Sequence, residues 1–362
     1  MKYLLPLALG LMLLAAACGQ QPVASEAPPT AQDSIPDTPE AQVRALSLQI
    51  GRSPRDYSLY ERRSQAYYEL DSLPQSLADI ETALGLYPNG PELHYWRGFL
   101  AFVQQDTARA KEAYHTAIGL GTQQPEVYYQ LGQLYFFQSQ YDRALDMYRQ
   151  AAKMRPDDPQ YVFAQGFLEH SRRRHSEAAA RYLDALAIDS TFDKALLQLH
   201  DLYREAYQND DEAMKYNARL LQADPLHPLA NFNAGSYHLR RALAIRSSDR
   251  MDLLKDEVNE ATTHFTLATN RDPDFAMAWY NLGYCFWLGD DVRAGDAFRC
   301  FGRVVALDST YAPAWFMLGS IHEKNGDLES ALASYRRAVA HQPGSADFRQ
   351  AVAEVEAQLK GK

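Results

Sequence analysis

The sequence predicts an all-α solenoid of about eight stacked helix hairpins, and three observations predict it. A small residue recurs at Ser64, Gly98, Gly132 and Gly166, 34 positions apart each time, and a second set keeps step at Ser76, Ala110, Ala144 and Ala178. Pro88, Pro156, Pro225, Pro273 and Pro343 stand where a second helix would have to stop, because proline cannot donate the next helical hydrogen bond. The body is rich in Ala, Leu, Tyr, Arg and Gln and lacks the Val and Ile runs of buried strands.

In chain order, the first element is a leader. Met1 and Lys2 give a short positive start, and Leu4 to Ala17 runs uncharged, a stretch too short to span a bilayer as a helix. Ala15, Ala16 and Ala17 then precede Cys18. This resembles a bacterial lipobox. The resemblance implies cleavage after residue 17 and acyl chains on the sulfur and amine of Cys18, an anchor firmer than a single chain gives. Ala15 stands where the lipobox usually has Leu, and the triple alanine also suits ordinary cleavage and simple secretion. Residues 18–40 carry Pro22, Pro28, Pro29, Pro36 and Pro39 among small polar residues, a composition that cannot bury a core and reads as a disordered tether. The implied location is a bacterial envelope, as an outer-membrane lipoprotein facing the periplasm or the surface.

The folded body occupies 41–362. Residues 41–53 carry Val43, Leu46 and Ile50 on one face and read as an N-terminal helix. The hairpin units follow at roughly 57–90, 91–124, 125–158, 159–192, 193–227, 228–275, 276–311 and 312–345, and 346–362 reads as a capping helix with Phe348, Val352 and Val355 inward. Two stretches align closely: "YYQLGQLYFFQSQYDRALDMYRQAAKMRP" from Tyr128 and "WFMLGSIHEKNGDLESALASYRRAVAHQP" from Trp315. Each has Leu-Gly, an Ala twelve after the Gly, a Tyr four later, an Ala three later and a Pro five later. This resembles the tetratricopeptide repeat, a helix–turn–helix unit that must stack on its neighbours to cover its open face. The first-helix series continues at His200, Gly235, Gly283 and Gly319, the second at Ala213, Ala261, Ala297 and Ala331. Repeat five is the weakest match, with His200 in the small position and Asn217 in the aromatic one. Repeat six carries an insert within Leu239 to Val258. Its apolar spacing predicts that both helices lengthen by about seven residues around Ser247-Ser248-Asp249, with Arg240, Arg241, Arg246 and Arg250 as a docking knob; the alternative is a longer, partly disordered turn.

The resemblance also implies a superhelix whose concave wall is made by first helices. Relative to the small residue, positions −3, +1, +4 and +5 share a helical face. They place Tyr95, Phe99 and Phe102 in repeat two, Tyr129, Phe136 and Phe137 in repeat three, Phe163 and Phe167 in repeat four, and Tyr280, Tyr284 and Trp287 in repeat seven. Repeats one and five are polar on this face. An aromatic groove suits apolar or aromatic peptide segments of other envelope proteins, with a glycan stacked on ring faces as the alternative ligand. Several rings could instead pack sideways as core. The family's carboxylate clamp for chaperone tails is absent, because Gln65, Phe99, Gln133 and Phe167 occupy the places where it wants Asn.

Charge and motifs exclude other classes. The net charge is −10, and removal of residues 1–17 takes away Lys2 alone, so a nucleic-acid partner is not expected. No fixed-spacing metal motif, phosphate loop or nucleophile elbow occurs, so neither an enzyme, a cofactor nor a metal is expected. Cys285 and Cys300 read as buried thiols or one disulfide within repeat seven. "SRRRH", Ser171 to His175, reads as a solvated turn or as a patch for an acidic partner.

Overall fold

The computed structural model describes residues 38–246, 250–289 and 294–361. Cys18, the leader, nearly all of the tether and the Ser247-Ser248-Asp249 turn lie outside the described residues. Among those residues every regular element is a helix, α1 to α18, with no strand. None of these helices is long and apolar enough to cross a membrane. The chain divides into two compact units, residues 1–104 and 105–362.

The first unit holds α1 (Pro39–Arg52), α2 (Tyr57–Glu69), α3 (Leu73–Leu86) and α4 (Pro91–Val103). Thr38 and Asp56 cap α1 and α2, and proline enters at the first turn of α1, α3 and α4, where its missing N–H costs nothing. Repeat one has serines where later repeats have Gly and Ala. Ser76 Oγ donates to the Ser64 carbonyl at 2.8 Å, and Trp96 Nε1 donates to Ser64 Oγ at 2.7 Å, so these buried hydroxyls are satisfied. Arg63 of α2 makes a two-pronged ion pair with Asp79 of α3, 2.7 Å on each arm, and reaches Ser47 of α1 at 2.9 Å. One guanidinium thereby ties three helices together.

The second unit holds α5 (Thr107–Gly119), α6 (Pro125–Phe137), α7 (Tyr141–Met154), α8 (Pro159–Ser171), α9 (His175–Ile188), α10 (Asp193–Glu205), α11 (Asp210–Ala223), α12 (Pro228–Ile245), α13 (Met251–Arg271), α14 (Ala276–Leu288), α15 (Ala294–Leu307), α16 (Ala312–Lys324), α17 (Leu328–His341) and α18 (Ala346–Lys360). Within this unit α6 with α7, α8 with α9, α10 with α11, α12 with α13, α14 with α15 and α16 with α17 form the expected repeats three to eight. The small residue does the expected work. A Cβ placed on Gly132 would lie 2.6 Å from the Tyr148 ring, one on Gly166 2.8 Å from Tyr182, one on Gly235 2.9 Å from Phe265, and one on Gly319 2.5 Å from Tyr335. In these four repeats an aromatic of the second helix lies directly against the bare glycine backbone.

Repeat five shows how the lock tolerates its absence. His200 fills the small position and is buried, while the ring position shrinks to buried Asn217. Large and small have exchanged places, and volume is conserved. Asn217 Nδ2 donates to the Ala230 carbonyl at 2.9 Å, and the displaced ring, Tyr216, stacks on Tyr203 at 5.4 Å.

Three further features recur. The side chain four before the small residue donates to the carbonyl six residues earlier: Tyr60 to Pro54 at 3.1 Å, His94 to Pro88 at 2.8 Å, Asn231 to Pro225 at 2.9 Å, Trp279 to Pro273 and Trp315 to Ser309 at 2.9 Å. The turn between helices passes through one left-handed residue, Asp71, Gln105, Ser139, Arg173, Gln208 or Gly326. In five of these turns the next N–H closes back on the helix, as in Ser72 to the Tyr67 carbonyl and Gln140 to Tyr135, both 2.8 Å. Repeat six departs from the rest. α12 has 18 residues against 13 for the other first helices, and α13 has 21 against 14, so both lengthen, the first by less than expected. Cys285 and Cys300 are free, buried thiols, each pushed up to about 12 by burial.

Candidate functional site

The residues expected to line a groove separate into two kinds. The first kind is the ring three before the small residue. Tyr129 lies 5.8 Å from Tyr148 and 5.6 Å from Tyr161. Phe163 lies 5.4 Å from Tyr182 and 5.6 Å from Phe192, and is only 9% exposed. Tyr280 lies 5.5 Å from Phe301 and 5.3 Å from Tyr311. Phe232 and Phe316 repeat the pattern in repeats six and eight. Each ring sits between the lock aromatic of its own repeat and an aromatic at the start of the next first helix. This position is an inter-repeat core column. The helical face drawn from one small residue assigned it to the wall because that construction ignores the incoming neighbour. Burial pushes the hydroxyls of Tyr129 and Tyr280 up to about 12. The Tyr129 hydroxyl accepts from Gln133 Nε2 and Gln160 Nε2, both at 3.0 Å.

The second kind lies beyond the small residue and stays partly open. In the first unit, Phe99 stacks on Trp96 at 5.0 Å and meets Tyr68 edge-on at 5.2 Å. Phe102 is half-buried on the same helix, and so is Tyr95, which stands three before Gly98 in the position of the first kind. In the second unit, Phe136 meets Phe137, Tyr141 and Phe167 at 5.9, 5.9 and 5.7 Å. Phe167 is half-buried, and Phe137 is 65% exposed. Beside this group lies an open hollow of about 610 Å³ lined by Ser139, Gln140, Tyr141, Asp142, Arg143 and Arg172. Tyr284 and Trp287 of repeat seven pack beside the core of repeat eight, and Lys324 Nζ stands 5.2 Å from the Trp287 ring centre.

The arginine turn of repeat four is structured by ion pairs, Arg172 with Asp142 at 3.1 Å and Arg174 with Glu169 at 3.3 Å. A fixed-spacing search passed over one grouping in repeat six: His238 of α12 with Glu260 and His264 of α13, whose ligand atoms lie within 4.8 Å of one another.

A tetratricopeptide-repeat family model matches residues 61–125 and 129–193, and a second tetratricopeptide-repeat model matches 312–345. Among curated proteins, tetratricopeptide repeat-containing protein trd-1 of Caenorhabditis elegans is 27% identical over 92 residues, which are 25% of this chain and 12% of that protein. The chain thus spans a small part of its curated relative. Among solved structures, PilF of Pseudomonas aeruginosa is 17% identical, with 64% of this chain and 97% of that chain covered and a TM-score of 0.51. A monomeric mutant of IFIT1 with Gppp-AAAA is 16% identical, covering 87% of this chain and 77% of that one, with a TM-score of 0.50. YrrB, a TPR protein with an unusual peptide-binding site, is 20% identical over 52% of this chain and 96% of that one, with a TM-score of 0.42. The fold is an all-α tetratricopeptide superhelical repeat.

Proposed function

We propose that this tetratricopeptide-repeat chain is a non-enzymatic scaffold of the bacterial envelope, held at the outer membrane by acylated Cys18, which takes segments of partner proteins on its first-helix wall. The observation that carries the binding reading is the end of α6. Phe136 and Phe137 are adjacent there, Phe137 is 65% exposed, and the Phe136 ring lies tilted against Phe167 of the next repeat at 5.7 Å. Contiguous open ring surface is stabilised when an apolar partner covers it, by roughly 25 cal/mol per Å² of apolar area removed from water. The α6 rings and the hollow beside them suit a peptide with an apolar anchor. The polar lining of that hollow, Ser139, Gln140, Asp142, Arg143 and Arg172, suits hydrogen bonds to a glycan as well as to a peptide backbone, so the protein ligand rests on the open ring of Phe137. The anchor rests on the uncharged run before Cys18 and the proline-rich leash after it.

A photo-crosslinking residue at Phe137 should give a discrete adduct in intact envelopes, and one at exposed Leu183 on α9 should not. Equal labelling at both positions would remove the wall as the binding site. Cys18→Ser should move folded protein from the membrane fraction into the soluble one. Retention of that variant on salt-washed membranes would place the anchor elsewhere.

A further inference from the structure

We propose that repeat six carries a binding site for a divalent transition metal of the zinc class, ligated by His238, Glu260 and His264. The three side chains come from two helices that the repeat lock holds together. His238 stands three residues after Gly235 on α12, and His264 stands three after Ala261 on α13. Glu260 lies one turn before His264 on the same helix. Ligand atoms of all three lie within 4.8 Å of one another, and the imidazole planes differ by 9°.

The groups behind the two histidines give an independent argument. His238 Nδ1 faces Glu257 Oε2 at 2.8 Å. Glu257 is buried and pairs through its other oxygen with Arg241 at 2.8 Å, which leaves Oε2 to accept from His238. His264 Nδ1 faces Asn231 Oδ1 at 2.9 Å. The Asn231 amide nitrogen donates to the Pro225 and His227 carbonyls at 2.9 and 3.1 Å, which fixes its oxygen toward His264. Both Nδ1 atoms therefore carry the proton, and both lone pairs sit on Nε2. An outer acceptor that fixes tautomer and ring orientation is what supports histidine as a metal ligand.

Two imidazoles and one carboxylate match the donor set of three-ligand zinc sites, with the fourth position open to water. Bonds of about 2.0–2.1 Å place tetrahedral ligands about 3.4 Å apart, so the donors must draw in from their present spacing. Glu260 is exposed and turns freely enough to do this. The insert is part of the site, because Arg241 and Glu257 both fall within it.

The test uses full-length protein in detergent, stripped with EDTA and titrated with Zn²⁺ against a chromophoric chelator, with Co²⁺ absorption as a second readout. One metal per chain and a visible tetrahedral Co²⁺ band are expected. Glu260→Gln alters an exposed side chain, should keep its circular dichroism melt in EDTA, and should weaken zinc on the order of ten-fold or more. His238→Gln with His264→Gln should abolish the band. Cys285→Ser with Cys300→Ser should leave it unchanged. Absence of binding by the wild-type chain, binding by the His or Glu variants equal to wild type, or a band lost with the cysteines would each overturn the site.

Discussion

Repeats three and six share one lock and differ in almost everything around it. In both, an aromatic lies on a bare glycine, Tyr148 on Gly132 and Phe265 on Gly235. Around Gly132 the neighbours are rings, and the helices end at the regular length. Around Gly235 the helices run on, and the space is filled by a polar set, Asn231, His238, Glu257 and His264, joined by hydrogen bonds. The difference teaches that the lock is local. A hairpin needs one close backbone contact, and what lies outside that contact is free to become either an aromatic wall or a polar site.

The comparison can be broken most forcefully at the ring column. Phe163→Ala should lower stability by about 3–5 kcal/mol in urea melts, as expected for a buried ring. A loss near zero would return Phe163 to the open wall. Next come the locks themselves. Gly132→Leu and Gly235→Leu should each cost about 1–3 kcal/mol or more, because the new side chain meets ring atoms. A large effect in one repeat only would show that the two locks are not equivalent. A smaller effect separates the polar repeat from the aromatic one. Burial disfavours the His264 cation, so in chelator its contribution is full above about pH 6.5 and is lost as pH falls through that value and below. His264→Gln should flatten this part of the stability-against-pH curve, and His115 and His170, shifted the same way, should leave a residual slope. The smallest effect belongs to the open wall. Phe137→Ala should change stability by no more than about 0.5 kcal/mol while lowering crosslinking to partners by neighbouring probes. A marked loss of stability would make Phe137 a core residue.

Most of the fold was legible because a repeat states itself several times. The steps between small residues place every helix pair, and the long step between Ala213 and Ala261 points to the longer helices of repeat six. The wall was only partly legible. Helical angles treat each first helix alone, so Tyr129, Phe163 and Tyr280 share a face with Phe136 on paper. Their true partners are the aromatics that open the following repeat, Tyr161, Phe192 and Tyr311, of which the last two stand eight before the next small residue and the first five before it. The metal ligands were missed for a related reason. Spacing rules look along one helix, whereas His238 and His264 meet across two helices separated by an insert of irregular length. Counted from their own small residues they are equivalent, each three positions on.

The left-handed turn residue bears on how such an array changes over generations. Asp71, Gln105, Ser139, Arg173 and Gln208 each hold a backbone conformation that suits glycine better, as Gly326 shows in repeat eight. A bend of this kind is a weak point in an otherwise regular chain. In repeat six the helix passes straight through the corresponding place, since Ala242 is helical and buried. Lengthening the hairpin there lets residue 242 keep an ordinary helical backbone. Such a joint is where a repeat can accept extra sequence with little penalty, and new chemistry can enter an old architecture through it without disturbing the register on either side.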